Sequence, residues 1–169
     1  RNVARDIRES MRFSEKRLGE LAHAAAEAFV RAGFNPADPA PAAARAVATG
    51  LGPARLDPGL RTALAPELAA MLVWLAGLPA LRPAFVSGLP ERELLDADGS
   101  RHRPDLFAAS PAGILVADFK TGRPAADHEA QVRRYVGLIR RLPGLAEAPT
   151  AGFLLYLDRR ECRPVEIRS

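Results

Sequence analysis

The stretch His102–Gly122, HRPDLFAASPAGILVADFKTG, places two carboxylates and one ammonium in what otherwise reads as apolar strand. Lys120 carries the most information. The chain has 24 Lys and Arg, of which only Lys16 and Lys120 are lysines, so arginine is its default cation. A guanidinium stays protonated, whereas an ammonium is a compact charge whose pKa can move, as proton transfer and charge stabilisation require. SPAG, Ser110–Gly113, has the turn chemistry of a four-residue hairpin loop. A hairpin centred there pairs residues whose numbers sum to 223, setting Ala109 against Ile114, Phe107 against Val116 and Asp105 against Asp118. Opposed residues bring their Cβ atoms to about 4.5–5.5 Å, where like charges repel. Strand alternation puts Lys120 on the face of Asp118. A hard divalent cation between the carboxylates, Mg²⁺ or Mn²⁺, accounts for such a patch. Taken alone, the Asp-x-Lys triplet also fits a plain ion pair at a strand end, with Asp105 merely opening its strand. A register slip of one residue would turn Asp105 to the other face.

The elements that must hold these groups follow from periodicity. Leu18, Leu21, Ala22, Ala25, Phe29 and Ala32 recur at three and four, predicting a helix from a Ser14 cap to a Gly33 stop. A Pro/Ala-rich loop leads to a short helix over Pro41–Leu51, and another spans Pro58–Ala76. Beyond Pro83 the texture changes to short extended runs, AFVSGL, ERELLDA, RPDLFAA, GILVADFKT, TAGFLLYLD and RPVEI, each bounded by Gly, Pro, Asp or Ser. One helix interrupts them, Asp127–Leu142, with Val132, Tyr135, Val136, Ile139 and Leu142 as its apolar stripe and Arg133, Arg134, Arg140 and Arg141 off it. Apolar residues on both faces of 114–119 mark a central strand. The expected fold is α/β or α+β, a central mixed sheet flanked by helices.

Composition sets the outer bounds. At 169 residues, 48% hydrophobic and 26% charged, the chain is an ordinary globular one, expected to form a single domain with a mainly helical part over 1–80 and a sheet core over 83–169. No apolar run approaches the roughly 18 residues of a membrane span, so no membrane partner is expected. The single Cys162 can form no internal disulfide and no thiolate cluster, which suggests a reducing cytoplasm. The net charge of +4 permits nucleic-acid binding without proving it, since arginine excess beside so much Ala, Gly and Pro also follows from a GC-rich genome. A charged start without an initiator Met suggests a piece of something longer.

RPDLF, VADFKTG and QVRRY together, in this order, resemble the nuclease domain of the RecB/AddA family within the PD-(D/E)XK nuclease superfamily. That family runs G-x-x-x-H on a helix, a glutamate on an early strand, an aspartate after a turn, D-Y/F-K-T, then Q-x-x-x-Y on the next helix. This sequence offers Gly19 and His23, then Glu93, Asp105, Asp118-Phe119-Lys120-Thr121, and finally Gln131 and Tyr135. GFLLYLD, Gly152–Asp158, is similar to the strand that follows in AddA-like proteins. The resemblance spans about His23 to Asp158. Pro104 departs from it, standing where many relatives have a glycine-containing turn.

The resemblance implies a restriction-endonuclease-like PD-(D/E)XK core with an N-terminal helical segment. It implies a Mg²⁺- or Mn²⁺-dependent deoxyribonuclease, an exonuclease module of a helicase–nuclease that processes double-strand breaks in DNA repair and recombination. Its partners would be DNA and a helicase motor domain in the same or a partner chain, at a cytoplasmic, bacterial nucleoid-associated location. The implied metal ligands are Asp105, Asp118, the backbone carbonyl of Phe119 and His23, with Glu93 as a weaker candidate beside Glu91. Lys120 would hold or deprotonate the attacking water, Gln131 would orient the Lys120 end of the site, and Tyr135 would pack behind it. One cysteine excludes the branch with an iron–sulphur cluster. Residue chemistry leaves other readings: His23 as a polar-face histidine near Glu20 and Glu27, Tyr135 as plain core, and the α-helical arginines as a solvated face or the lining of a DNA channel. Two other functions were weighed. A catalytically inactive DNA-binding or structural relative would be free to lose the acidic pair and the lysine, and a small-molecule Mg²⁺ enzyme lacks support from any G-x-x-x-x-G-K-S/T loop.

Overall fold

The first part of the chain forms three helices, the first two with amphipathic spacing and the third apolar around most of its circumference. The structure is a computed structural model that describes residues 15–86, 93–110 and 112–168. Helix α1 (Glu15–Ala32) buries Leu18, Leu21, Ala22, Ala25 and Phe29. It stops where Gly33 takes a φ of 73°, a left-handed conformation that glycine adopts without a Cβ clash. The expected cap, Ser14, lies outside the described residues. Helix α2 (Ala40–Leu51) has proline in its first turn, where the missing N–H has no helical partner to lose. It packs on both α1 and α3, and so closely on α1 that a Cβ on Gly50 would stand 2.7 Å from the Ala25 amide nitrogen.

Helix α3 (Pro58–Ala76) is capped by Asp57, whose Oδ1 accepts from the amides of Gly59 and Leu60 at 2.9 and 3.2 Å. Arg61 closes the preceding turn by donating to the carbonyls of Leu51 and Ala54. Among the described residues α3 is the one helix long and apolar enough, by length and composition, to cross a membrane. Its Leu60, Leu64, Leu68, Met71, Leu72 and Leu75 are buried within the protein.

The chain divides into two compact units, one running to Pro79 and including Leu157–Arg160, the other comprising Ala80–Tyr156 and the residues from Glu161. The second unit opens with a 3₁₀ turn and helix α4 (Arg82–Val86). An extended run was expected over AFVSGL. Its first residues are helical instead, with Pro83 in the first turn, where its locked φ suits a helix start; 87–92 lie outside the described residues.

Strands β1 (Leu94–Leu95) and β2 (Arg101–His102) form a small antiparallel sheet. The main sheet comprises β3 (Leu106–Ser110), β4 (Gly113–Lys120), β5 (Thr150–Tyr156) and β6 (Glu161–Val165), in the order β3-β4-β5-β6. Pairings β3–β4 and β5–β6 are antiparallel, while β4–β5 is parallel, bridged by helix α5 (Ala126–Arg140) as a parallel pair demands. The fold is therefore mixed α and β, with five helices among the described residues, a mixed four-stranded sheet and a minor two-stranded one. Val132, Val136 and Ile139 of α5 pack on Ile114, Val116 and Leu154 of the sheet. Leu115, Ala117 and Phe119 on the opposite face of β4 are buried too, so β4 is covered on both sides.

Candidate functional site

The β3–β4 hairpin brings the acidic residues together. Ser110 pairs with Gly113, Ala109 with Ile114 and Phe107 with Val116, down to Leu106 with Ala117. The loop is thus shorter than the expected four residues, comprising Pro111, which lies outside the described residues, and Ala112. The register is the one that sums to 223. Asp105 is the next residue beyond the ladder, facing Asp118. Its Oδ2 accepts from the amide of Phe119 at 2.7 Å, tying it to the end of β4. The N–H and C=O of one strand residue leave on the same side, so the Phe119 carbonyl also points toward Asp105.

Asp118 is 3% exposed, the one buried charged residue among those described. Burial pushes its carboxyl up to about 7, and the Asp105 carboxylate adds to this both by sharing a hydrogen bond and by its charge, while Lys120 opposes the shift. Lys120 Nζ lies 2.6 Å from Asp118 Oδ2. The approach is a charge contact without the angle of a directed hydrogen bond, and it leaves Oδ2 buried with no hydrogen-bond partner. The ammonium compensates its charge but leaves lone-pair capacity unused. Two carboxylates crowded this closely are hard oxygen donors of the kind that suit Mg²⁺ or Mn²⁺.

Helix α5 supports the lysine. Its apolar stripe fixes it on the sheet, and Gln131 and Tyr135, four residues apart, share a face. Lys120 Nζ donates to Gln131 Oε1 at 2.6 Å, and Gln131 Nε2 donates to the Tyr135 hydroxyl at 2.7 Å. A lysine can only donate, so this contact orients the amide. Tyr135 is buried; its hydroxyl is raised to about 12 by burial first and by the Asp118 charge second, against a lowering from the Gln131 bond. The His102 ring meets the Tyr135 ring edge-on at 6.4 Å, and His102 Nε2 lies 3.7 Å from Asp96 Oδ2.

The geometry joins Asp105, Asp118, Lys120, Gln131 and Tyr135 in one chain of contacts at the carboxyl end of β4. Ligands bind outside the carboxyl ends of parallel strands in open sheets. Glu93 does not enter that chain of contacts. It is exposed at the start of β1, with its Oε2 3.3 Å from Arg101 Nη1, and Glu91 lies outside the described residues. His23 belongs to the helical unit and is half-exposed on α1, its Nδ1 3.7 Å from Glu27 Oε1 one turn on. Glu20 pairs with Arg17 instead.

Two of the α5 arginines bond to the backbone of the C-terminal residues. Arg133 Nε donates to the Glu166 carbonyl at 3.0 Å and its Nη2 to Glu129 at 2.7 Å, while Arg140 reaches the Arg168 carbonyl at 3.4 Å. Sequence reasoning left His128 and Tyr156 without roles. His128 Nδ1 and the Tyr156 hydroxyl are 3.0 Å apart, and the detectable signal was the parallel register that sets Tyr156 beside Lys120. No protein-family model matches the chain, nor does any curated protein sequence.

Proposed function

We propose that the chain is a metal-dependent DNA nuclease domain, hydrolysing phosphodiester bonds at the carboxyl end of β4. The observation that carries this reading is the contact of Lys120 with a buried Asp118 that is itself crowded by Asp105. An arrangement so unfavourable by itself is accounted for by a cation, and the lysine beside it by a reaction. Asp105, Asp118 and the Phe119 carbonyl are the residues that would hold Mg²⁺ or Mn²⁺. Bound there, the ion supplies Lewis acidity, lowering the pKa of water and offsetting charge on the phosphoryl oxygens.

Lys120 has two tasks within reach of its Nζ: as the ammonium, to hold the attacking water and stabilise negative charge on the phosphate, or, as the free amine after loss of its proton, to take the water's proton. Gln131 keeps the ammonium aimed, and Tyr135 fixes Gln131. Motif order supports His23 as a further ligand and Glu93 as a lesser one. The same order supports a PD-(D/E)XK core, exonuclease action in double-strand-break repair, and a helicase motor domain as partner. Intact acidic residues and lysine weigh against a merely structural or DNA-binding relative.

Incubation with linear single- and double-stranded DNA tests the proposal, with Mg²⁺, Mn²⁺ or EDTA. Degradation is expected from the parent with either metal, none with EDTA, and a fall of at least about 10²-fold in Asp118→Ala and Lys120→Ala. Cleavage that persists in EDTA, or that survives both substitutions, would overturn it.

A further inference from the structure

We propose that Tyr156 and His128 are positioning residues that aim the Lys120 ammonium by anchoring the first turn of α5; the kinetic part of the claim rests on the nuclease reading, the structural part does not. Helix α5 begins at Ala126 after Ala125, which has no side chain to cap it. The first N–H groups of a helix have no partners within it and are ordinarily met by a capping side chain. A residue from the sheet stands in. His128 Nδ1, in the first turn, is 3.0 Å from the Tyr156 hydroxyl oxygen; burial raises the pKa of that hydroxyl, and the Ala125 backbone acts on it in the opposite direction. With a neutral imidazole, the hydroxyl donates to Nδ1 and ties the first turn of the helix to the sheet.

Tyr156 is well placed to transmit position. It is the register partner of Lys120 across the parallel β4–β5 pair, so the two share a sheet face one strand spacing apart, about 4.8 Å. Its ring is buried in the core between sheet and helix, and the Arg163 guanidinium lies 5.7 Å from its centroid. His128 precedes Gln131 by three residues and so shares its side of the helix. The residue beside the lysine on the sheet thereby grips the turn leading to the lysine's amide partner. Gln131 Oε1 sits 2.6 Å from Nζ, a contact that a small shift of that turn would break.

The two lysines of the chain make this measurable. Labelling lysine with ¹³Cε gives one NMR signal from Lys16 and one from Lys120, assigned with Lys120→Arg. Tyr156→Phe keeps the ring and removes the hydroxyl; His128→Ala removes the imidazole; His128→Asn keeps a polar atom close to Nδ1. Tyr156→Phe and His128→Ala are expected to displace the Lys120 signal in the direction seen in Gln131→Ala, leaving Lys16 unmoved. They should lower kcat on linear DNA about tenfold with KM nearly unchanged. His128→Asn should restore both. A Lys120 signal unmoved in Tyr156→Phe and His128→Ala but shifted in Gln131→Ala would overturn the inference. Should Tyr156→Phe lose its circular-dichroism signature of folding, the two His128 variants decide. A chain that cleaves no DNA with either metal refutes the nuclease reading, and the lysine signal then decides the anchoring by itself.

Discussion

Asp118 carries a charge that its surroundings reject, since burial and Asp105 both favour its protonated form. Removing that charge should therefore stabilise the protein while disabling it. Asp118→Asn is expected to raise the melting temperature at pH 8 by on the order of a few degrees, and to make little difference at pH 5, where the parent already holds the proton. Cleavage should be lost at both. Thermal melts at the two pH values, run beside a nuclease assay, separate this from a variant that merely unfolds. Lys120→Arg provides the complementary test. It preserves charge but forfeits the ability to give up a proton and the compact fit between Asp118 and Gln131, so activity should fall about 10²–10⁴-fold. Near-parental turnover would show that Lys120 acts only as a charge.

At the scale of elements, the hairpin and α5 could be read from sequence because each is specified locally. SPAG closes the hairpin and its turn sets the register, since 114–119 is apolar on both faces and cannot, and Val132, Tyr135, Val136 and Ile139 define a single helix face. What escaped was specified by distant partners. Val86 ends a short helix where β-branched and aromatic residues read as strand, a case of tertiary context overriding propensity. The two-residue strands β1 and β2 are too short for any period to show. Arg133 and Arg140 read as solvated or DNA-facing, and only the position of residues 166–168 shows what they bind. The α1–α2 crossing is likewise visible only in three dimensions, and it makes a prediction. Gly50→Ala would press a methyl to 2.7 Å from the backbone nitrogen of Ala25, which cannot rotate away. The expected loss is about 1–3 kcal/mol, read as a lowered denaturation midpoint; an unchanged midpoint would mean the helices separate at no cost.

Across the whole molecule, the Asp118 ionisation couples folding to pH and, on the proposed reading, to metal. The folded carboxyl titrates near 7, against 3.8 for its ordinary value. From about pH 4 to pH 7 the folded chain keeps a proton that the unfolded chain has lost, so this group makes stability fall as pH rises through that window, with no further loss above it. On the proposed reading a cation replaces the proton. Saturating Mn²⁺ should then raise the melting temperature clearly at pH 8 and little at pH 5, where it must displace the proton first. Equal shifts at both values, or a shift retained in Asp118→Asn, would place the ion elsewhere. Finally, β4 has one neighbour reached by a tight loop and another reached only across α5. Local contacts close quickly and distant ones slowly, so the opposing acids should meet while the amide that steadies Lys120 is still undocked. The competing negative charges would thus confront one another early in folding, and dissolved cations present during refolding should speed the passage to the native state.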